Sequence, residues 1–145
     1  MGGWTAAQVA LDAEMKIAGI VILAPAFGFI HQIYDSLNPE EQQSWKESRI
    51  KRFESPEMEE DFSLSYDAVI DSRLNNPFTA SVQYRHPVHI IHGSLDDVVP
   101  VKQSIAFKKH VSSKVELNVI QDGDHRLTDH IDVITKAVDD LWPAD

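Results

Sequence analysis

Ile20-Val21-Ile22-Leu23 is an unbroken apolar run, largely β-branched, closed by Ala24-Pro25. A strand apolar on both faces needs cover above and below, which is the situation of a central strand in a parallel sheet packed between helices. The flanking texture agrees. Thr5 to Met15 contains no breaker and puts Ala6, Val9, Ala10 and Ala13 on one stripe, so a helix is predicted just after Gly2-Gly3. Val88-His89-Ile90-Ile91-His92 predicts a second strand running into Gly93. Lys102 to His110 predicts an amphipathic helix, and Val115 to Ile120 alternates as a half-buried strand nearer the sheet edge. Asp129 to Trp142 carries Ile131, Ile134, Val138 and Leu141 at helical spacing and predicts a terminal helix facing a core. The order helix, strand, insertion, strand, helix, strand, helix predicts an α/β parallel sheet of about three strands with flanking helices, and no internal repeat competes.

The insertion, residues 27–85, is polar and charged. Asn38-Pro39-Glu40-Glu41 offers an N-cap, a first-turn proline and two acids at the positive helix end, predicting a helix from Pro39 to about Phe53. Ser55-Pro56 breaks the pattern, and a second helix is predicted from Ser65 to Leu74, ended by Asn75-Asn76-Pro77. With few apolar residues, the segment reads as a mainly helical element lying over something, not as a core layer.

Composition narrows the function classes. Of 145 residues, 43% are hydrophobic, enough to bury a core. Thirteen basic against 23 acidic residues leave a net charge of −10, and no basic face forms, so nucleic acid and anionic membrane surfaces are poor partners. Cysteine is absent, which excludes disulfides, thiolate metal sites and a cysteine nucleophile within this chain. The Ile17 to Ile30 stretch is short for a membrane span and is interrupted by Pro25 and Gly28, and no charged segment precedes it as in a signal peptide. Gly2-Gly3-Trp4-Thr5-Ala6 lacks the hydroxyl a myristoylation signal places at Ala6. The expected location is the cytoplasm.

In open parallel sheets, ligands bind beyond the carboxyl ends of the strands. Two polar segments fall there: His92-Gly93-Ser94-Leu95-Asp96-Asp97-Val98-Val99-Pro100 after one strand, and Gln121-Asp122-Gly123-Asp124-His125-Arg126-Leu127 after the next. If those strands are neighbours, an acid from one meets a histidine from the other. A carboxylate then orients the imidazole and leaves its second nitrogen as a general base. Asp96 is the candidate acid, with Asp97 its nearest rival and an ordinary turn role its bland alternative. His125 is the candidate base, and His92 is expected to be structural. Asp122, Asp124, His125, Asp129 and His130 fit neither an EF-hand nor an H-E-x-x-H spacing, so no metal or other cofactor is expected. Arg49, Lys51 and Arg52 read as solvated positions.

The string His92-Gly93-x-x-Asp96-x-Val98-Val99-Pro100, followed by Gly123-Asp124-His125, resembles the acid and base loops of an α/β-hydrolase. Met1-Gly2-Gly3-Trp4, leading into a helix and then a strand, resembles the tail of the nucleophile elbow, and Asp124-His125-Arg126-Leu127 is similar to ABHD10-like serine esterases and acyl-protein thioesterases. The resemblance covers the whole chain but only the second half of that family's domain, which runs to about 250 residues. It implies Asp96 as triad acid and His125 as base. Met1 corresponds to the residue after the nucleophile, whose backbone N–H is one oxyanion donor. The nucleophile itself falls one place before Met1, and no second G-x-S-x-G is present. Its identity as serine rests on the resemblance, since related folds place Asp or Cys there.

The implied activity is hydrolysis of carboxylic ester or thioester bonds by acyl transfer, with the chain alone expected to be inactive. Residues 27–85 become the lid, with Phe27, Phe29, Trp45 and Phe62 as candidate walls of an acyl pocket. The Ile20 strand loses its partner on one side, so self-association or a complementing N-terminal fragment is expected through the bare edge. The alternative is a non-catalytic binding or assembly module, or a degenerate hydrolase fragment.

Overall fold

The computed structural model describes residues 2–12, 14, 16–54, 61–78 and 82–141. The elements run α1 (Gly2–Val9), β1 (Ile20–Leu23), α2 (Phe29–Ser36), α3 (Pro39–Ser48), β2 (Ile50–Phe53), β3 (Phe62–Ser65), α4 (Tyr66–Leu74), β4 (Val88–Gly93), α5 (Lys102–His110), β5 (Val115–Ile120), a 3-10 turn (Thr128–His130) and α6 (Ile131–Asp139). They form two compact units, one of residues 1–27 and 77–145, the other of Gly28–Asn76, which falls within the 27–85 span read as an insertion.

The first unit contains a parallel sheet in the order β1-β4-β5, as the strand and helix alternation predicts. Its central strand is β4, where Val88, Ile90, Ile91 and His92 are all fully buried. β1, though apolar on both faces, ends the sheet among the described residues, in line with the bare edge expected of it: Ile22 is buried, but Leu23 is 40% exposed. The run is apolar on both faces because both faces suit burial, yet among the described residues it has a partner on one side only. On α5, Phe107 stacks on Phe27 with ring centroids 4.2 Å apart, and Phe78 meets both rings edge-on. Phe27 and Phe107 are fully buried, each contributing about 2–3 kcal/mol of hydrophobic stabilisation.

Two helices of the first unit differ from expectation. α1 ends at Val9, not Met15, and its buried residues are Trp4 and Ala7. Gly3 sets that face, because it lies so close to Ile22 and Pro25 that a Cβ would fall 2.5 Å from the Ile22 side chain. Of the predicted stripe, Ala10 is buried, whereas Ala6 and Val9 are exposed along an open apolar groove of about 490 Å³ shared with Ile17 and Ile20. Ala13 and Met15 lie outside the described residues. In α6, Ile131 and Val138 are exposed and no residue is fully buried. Val133 and Ala137 instead face β4 and β5 across a cavity of about 170 Å³, and Leu141 packs over Gly19. Trp142 lies outside the described residues.

The second unit has a small aromatic core of its own. Trp45 is buried against Tyr34 and Phe53, and its indole N–H donates to the Leu64 carbonyl at 3.1 Å. α3 opens with a capping box in which Asn38 accepts from the Glu41 N–H at 2.9 Å, but it stops at Ser48, five residues short of the expected end. Arg49 turns left-handed (φ 66°), and Ile50–Phe53 becomes a strand antiparallel to β3, with Phe53 stacked on Phe62. The alternating burial of Ile50–Phe53 suits a hairpin that covers Trp45 on one face, and this pairing outweighs helix continuation. Helix α2, which the sequence reading did not single out, begins after Gly28 in the left-handed region, with no side-chain cap to announce it.

Candidate active site

Parallel pairing brings the carboxyl ends of β4 and β5 to one edge, with Gly93 opposite Ile120. The ladder continues into the loops, where Ser94 N–H donates to Ile120 O and Leu95 N–H to Gly123 O, both at 2.9 Å. Only glycine fits position 93. A Cβ there would lie 2.1 Å from the Gly123 carbonyl oxygen and 2.5 Å from that of Asp124. The close approach that excludes a side chain is what sets the acid loop beside the base loop.

Asp96 is held by its own loop. Its Oδ1 accepts the backbone N–H groups of Val98 at 2.9 Å and Val99 at 2.7 Å, and its Oδ2 lies 2.8 Å from His125 Nδ1. The carboxyl side chain is fully buried, whereas the His125 ring is 38% exposed. Burial pushes the Asp96 carboxyl up, but the Val99 N–H, the His125 ring and the Val98 N–H together outweigh it and hold the group below the usual carboxylate range. An ionised carboxylate only accepts, so His125 Nδ1 carries the proton and donates, leaving Nε2 as an acceptor. Among the described residues no side chain bonds to that Nε2.

The base loop is shaped by Asp124, whose Oδ1 accepts from Arg126 N–H at 3.1 Å and Leu127 N–H at 2.7 Å. Leu127 adopts a left-handed conformation (φ 54°) while its side chain is fully buried, and Asp122 N–H donates to Ser94 Oγ at 2.9 Å. A non-glycine residue in that region is strained, and here the buried leucine and the Asp124 carboxylate hold it. Asp124 is thereby occupied with backbone, and among the described residues no three acidic or histidine side chains gather as metal ligands.

His92, expected to close the strand, lies directly under the acid. It is fully buried, with Nδ1 2.7 Å from Ser104 Oγ, Nε2 2.8 Å from Val99 O, and Nε2 3.1 Å from Asp96 Oδ2. Sequence reasoning did not single out Ser104, and it took Val99 only as part of the acid-loop motif. The one available signal was a serine at 104 on the buried side of an amphipathic helix, a position otherwise filled by apolar groups. Asp97 is exposed, Phe27 sits in the first unit's core, Trp45 in the second unit's core, Phe62 on the hairpin, and Phe29 half-buried at the start of α2. Met1 lies outside the described residues.

Residues 1–140 match the description "Uncharacterised protein family (UPF0227)". A curated relative, the mitochondrial palmitoyl-protein thioesterase ABHD10 of Bos taurus, is 23% identical over 97% of this chain and 47% of its own length. Among solved structures, a putative hydrolase from Agrobacterium vitis S4 superposes with a TM-score of 0.85 at 27% identity, covering 99% of this chain and 59% of that one. Mouse alpha/beta hydrolase domain-containing protein 10 superposes at 0.79 with 22% identity, over 96% and 57%. The chain spans about half the length of the curated relatives it matches. With the β1-β4-β5 sheet and its flanking helices, these findings make the chain an α/β-hydrolase superfamily member that resembles ABHD10 and belongs to the family UPF0227.

Proposed function

We propose that the chain carries the acid and the base of an acyl hydrolase acting on carboxylic ester or thioester bonds. The observation that carries this reading is the buried Asp96 carboxylate bonded at 2.8 Å to His125 Nδ1, with His125 Nε2 left to accept. In such a reaction Nε2 takes the proton of a serine hydroxyl as its oxygen attacks the carbonyl carbon, and Asp96 stabilises the imidazolium that forms. His125 then returns the proton to the departing alkoxide or thiolate. In the second half it takes a proton from water, whose oxygen attacks the acyl-serine, and gives that proton back to the serine oxygen.

The nucleophile is assigned to a polypeptide that adds a strand beside β1, on the side where β1 has no strand partner among the described residues. The relatives, about twice as long as the chain, support that assignment. Where Met1 is peptide-linked to that nucleophile, its N–H is an oxyanion donor. The Gly28–Asn76 unit is assigned the lid, on its insertion between two strands that are neighbours in the sheet. The name of the ABHD10 relatives, palmitoyl-protein thioesterase, supports the thioester reading. A non-catalytic module has no corresponding support, since binding alone requires no oriented acid and histidine.

The test pairs the full chain with the segment of the Agrobacterium vitis hydrolase that the match leaves uncovered. Hydrolysis of a short p-nitrophenyl ester is expected from the mixture, negligible from the chain alone, and lost on His125→Ala. Turnover by the chain alone that disappears with His125→Ala would falsify the assignment of the nucleophile to another polypeptide. Complemented turnover indifferent to His125→Ala overturns the role of the pair.

A further inference from the structure

Position 92 is a fully buried histidine that the reaction above does not use, and both of its ring nitrogens are matched to partners. Val99 O can only accept, so the proton of the bond at 2.8 Å belongs to His92 Nε2. Nδ1 then accepts, and the Ser104 hydroxyl 2.7 Å away donates to it. Ser104 is itself fully buried, so this hydroxyl has no bulk water with which to exchange partners. A buried polar ring satisfied on both sides has one stable orientation, because turning it would break two bonds without replacing them.

That orientation bears on the acid in two ways. Val99 is gripped through both of its backbone groups: its carbonyl by His92 Nε2, its N–H by Asp96 Oδ1 at 2.7 Å. The protonated edge of His92 also lies 3.1 Å from Asp96 Oδ2, the same oxygen that receives His125 at 2.8 Å. Oδ2 therefore sits between two imidazoles, and the partial positive charge of the inner one faces a carboxylate that is wholly removed from solvent.

We propose that His92, oriented by Ser104, is a positioning residue that fixes the Asp96 carboxylate and through it the tautomer of His125. The proposal rests on the reading of Asp96 and His125 as the acid–base pair and adds a layer beneath it, running Ser104, His92, Val99 and Asp96 out to His125. His92 touches neither substrate nor the reacting atoms.

The experiment is long-range 1H–15N correlation of the imidazole rings in the full labelled chain. In the unaltered protein His92 carries its proton on Nε2, and the neutral His125 ring carries its proton on Nδ1. His92→Phe keeps a flat ring of similar size and removes the donor. The His125 ratio of Nδ1–H to Nε2–H forms is then expected to fall at least tenfold. His92→Gln places an amide N–H near the lost Nε2–H and restores the ratio, which a merely space-filling role would not predict. Ser104→Ala leaves Nδ1 without its donor and the ring without its fixed orientation, so the His125 ratio is expected to fall there as well. A His92 proton on Nδ1 in the unaltered chain, or an unchanged His125 ratio in folded His92→Phe, overturns the proposal. Should His92→Phe not fold, the unaltered protein and Ser104→Ala decide the matter. No readout depends on ester turnover, so failed complementation leaves the proposal standing. A His125 ring found with its proton on Nε2 in the unaltered chain instead removes the acid–base reading itself.

Discussion

Replacing Asp96 by alanine and by asparagine separates what the carboxylate does for the fold from what it does for His125. Alanine removes every acceptor at once. The Val99 N–H is left in a buried site, the Val98 N–H is left to solvent, and His125 loses its bond. Bonds to a charged group contribute about 1.5–3 kcal/mol each, and discounting the solvent-accessible Val98 and His125 donors gives a loss of about 2–4 kcal/mol for Asp96→Ala. Asparagine keeps an oxygen for both loop N–H groups and loses the charge and the His125 acceptor, for a loss of about 1–2 kcal/mol. With a urea slope of about 2 kcal/mol per molar, the midpoint falls by about 1–2 M for alanine and about half that for asparagine. Acid adds a second axis. The folded-state Asp96 carboxyl lies below its ordinary range, so the unfolded chain binds the proton more readily and this stabilisation, present above the unfolded-state value, is lost as pH drops through the folded one. Asp96→Asn therefore flattens the acid limb of stability against pH. Equal midpoints for the two variants, or losses below about 0.5 kcal/mol, refute the claim that the two loop N–H bonds hold the acid in place.

Gly93→Ala drives a methyl group into the Gly123 and Asp124 carbonyls and is expected to destabilise by about 3 kcal/mol or more. At this chain length that is a fall in Tm of about 6–12 °C, and a melt within 2 °C of the unaltered protein contradicts the close approach. The Tyr84 hydroxyl is buried with no hydrogen-bond partner among the described residues, and burial pushes its pKa up to about 12. Tyr84→Phe is expected to be neutral or to stabilise by up to about 1 kcal/mol in urea unfolding at pH 7, whereas a comparable loss reveals a partner. Because the folded chain holds that proton more tightly than the unfolded one, stability falls as pH rises from about 10 toward 12, and Tyr84→Phe reduces the fall.

Much of the fold was legible because its signals are local. The three sheet strands, the helix between β4 and β5 and the two insertion helices α3 and α4 each follow from periodicity, a cap or a breaker. The meeting of Asp96 and His125 was legible for a different reason: two loops leaving adjacent parallel strands at the same end converge, whatever lies elsewhere. What escaped depends on partners distant in the chain. Ile50–Phe53 reads as the end of a helix, and its pairing with Phe62–Ser65 makes it a strand instead. The buried face of α1 is chosen by the contact of Gly3 with Ile22, which displaces the predicted stripe by part of a turn. His92 and Ser104 form a pair only because α5 returns over the sheet, and nothing in a serine within a helical sequence announces that bond.

The register of β4 and β5 also has a kinetic consequence. Acid, base and the His92 layer all come from one contiguous β4-α5-β5 stretch and its two loops, whereas β1 reaches β4 only after the whole Gly28–Asn76 unit has been spanned. Contacts close in sequence form faster than those that close long loops, so the β4-α5-β5 stretch is the natural nucleus and β1 joins afterwards. Within that nucleus a slip of one residue carries β5 about 3.3 Å along β4, more than the length of the bond between Asp96 and His125. The pair is thus a readout of registration, present in chains that have nucleated correctly and absent from those that have not, even before the outer strand has docked.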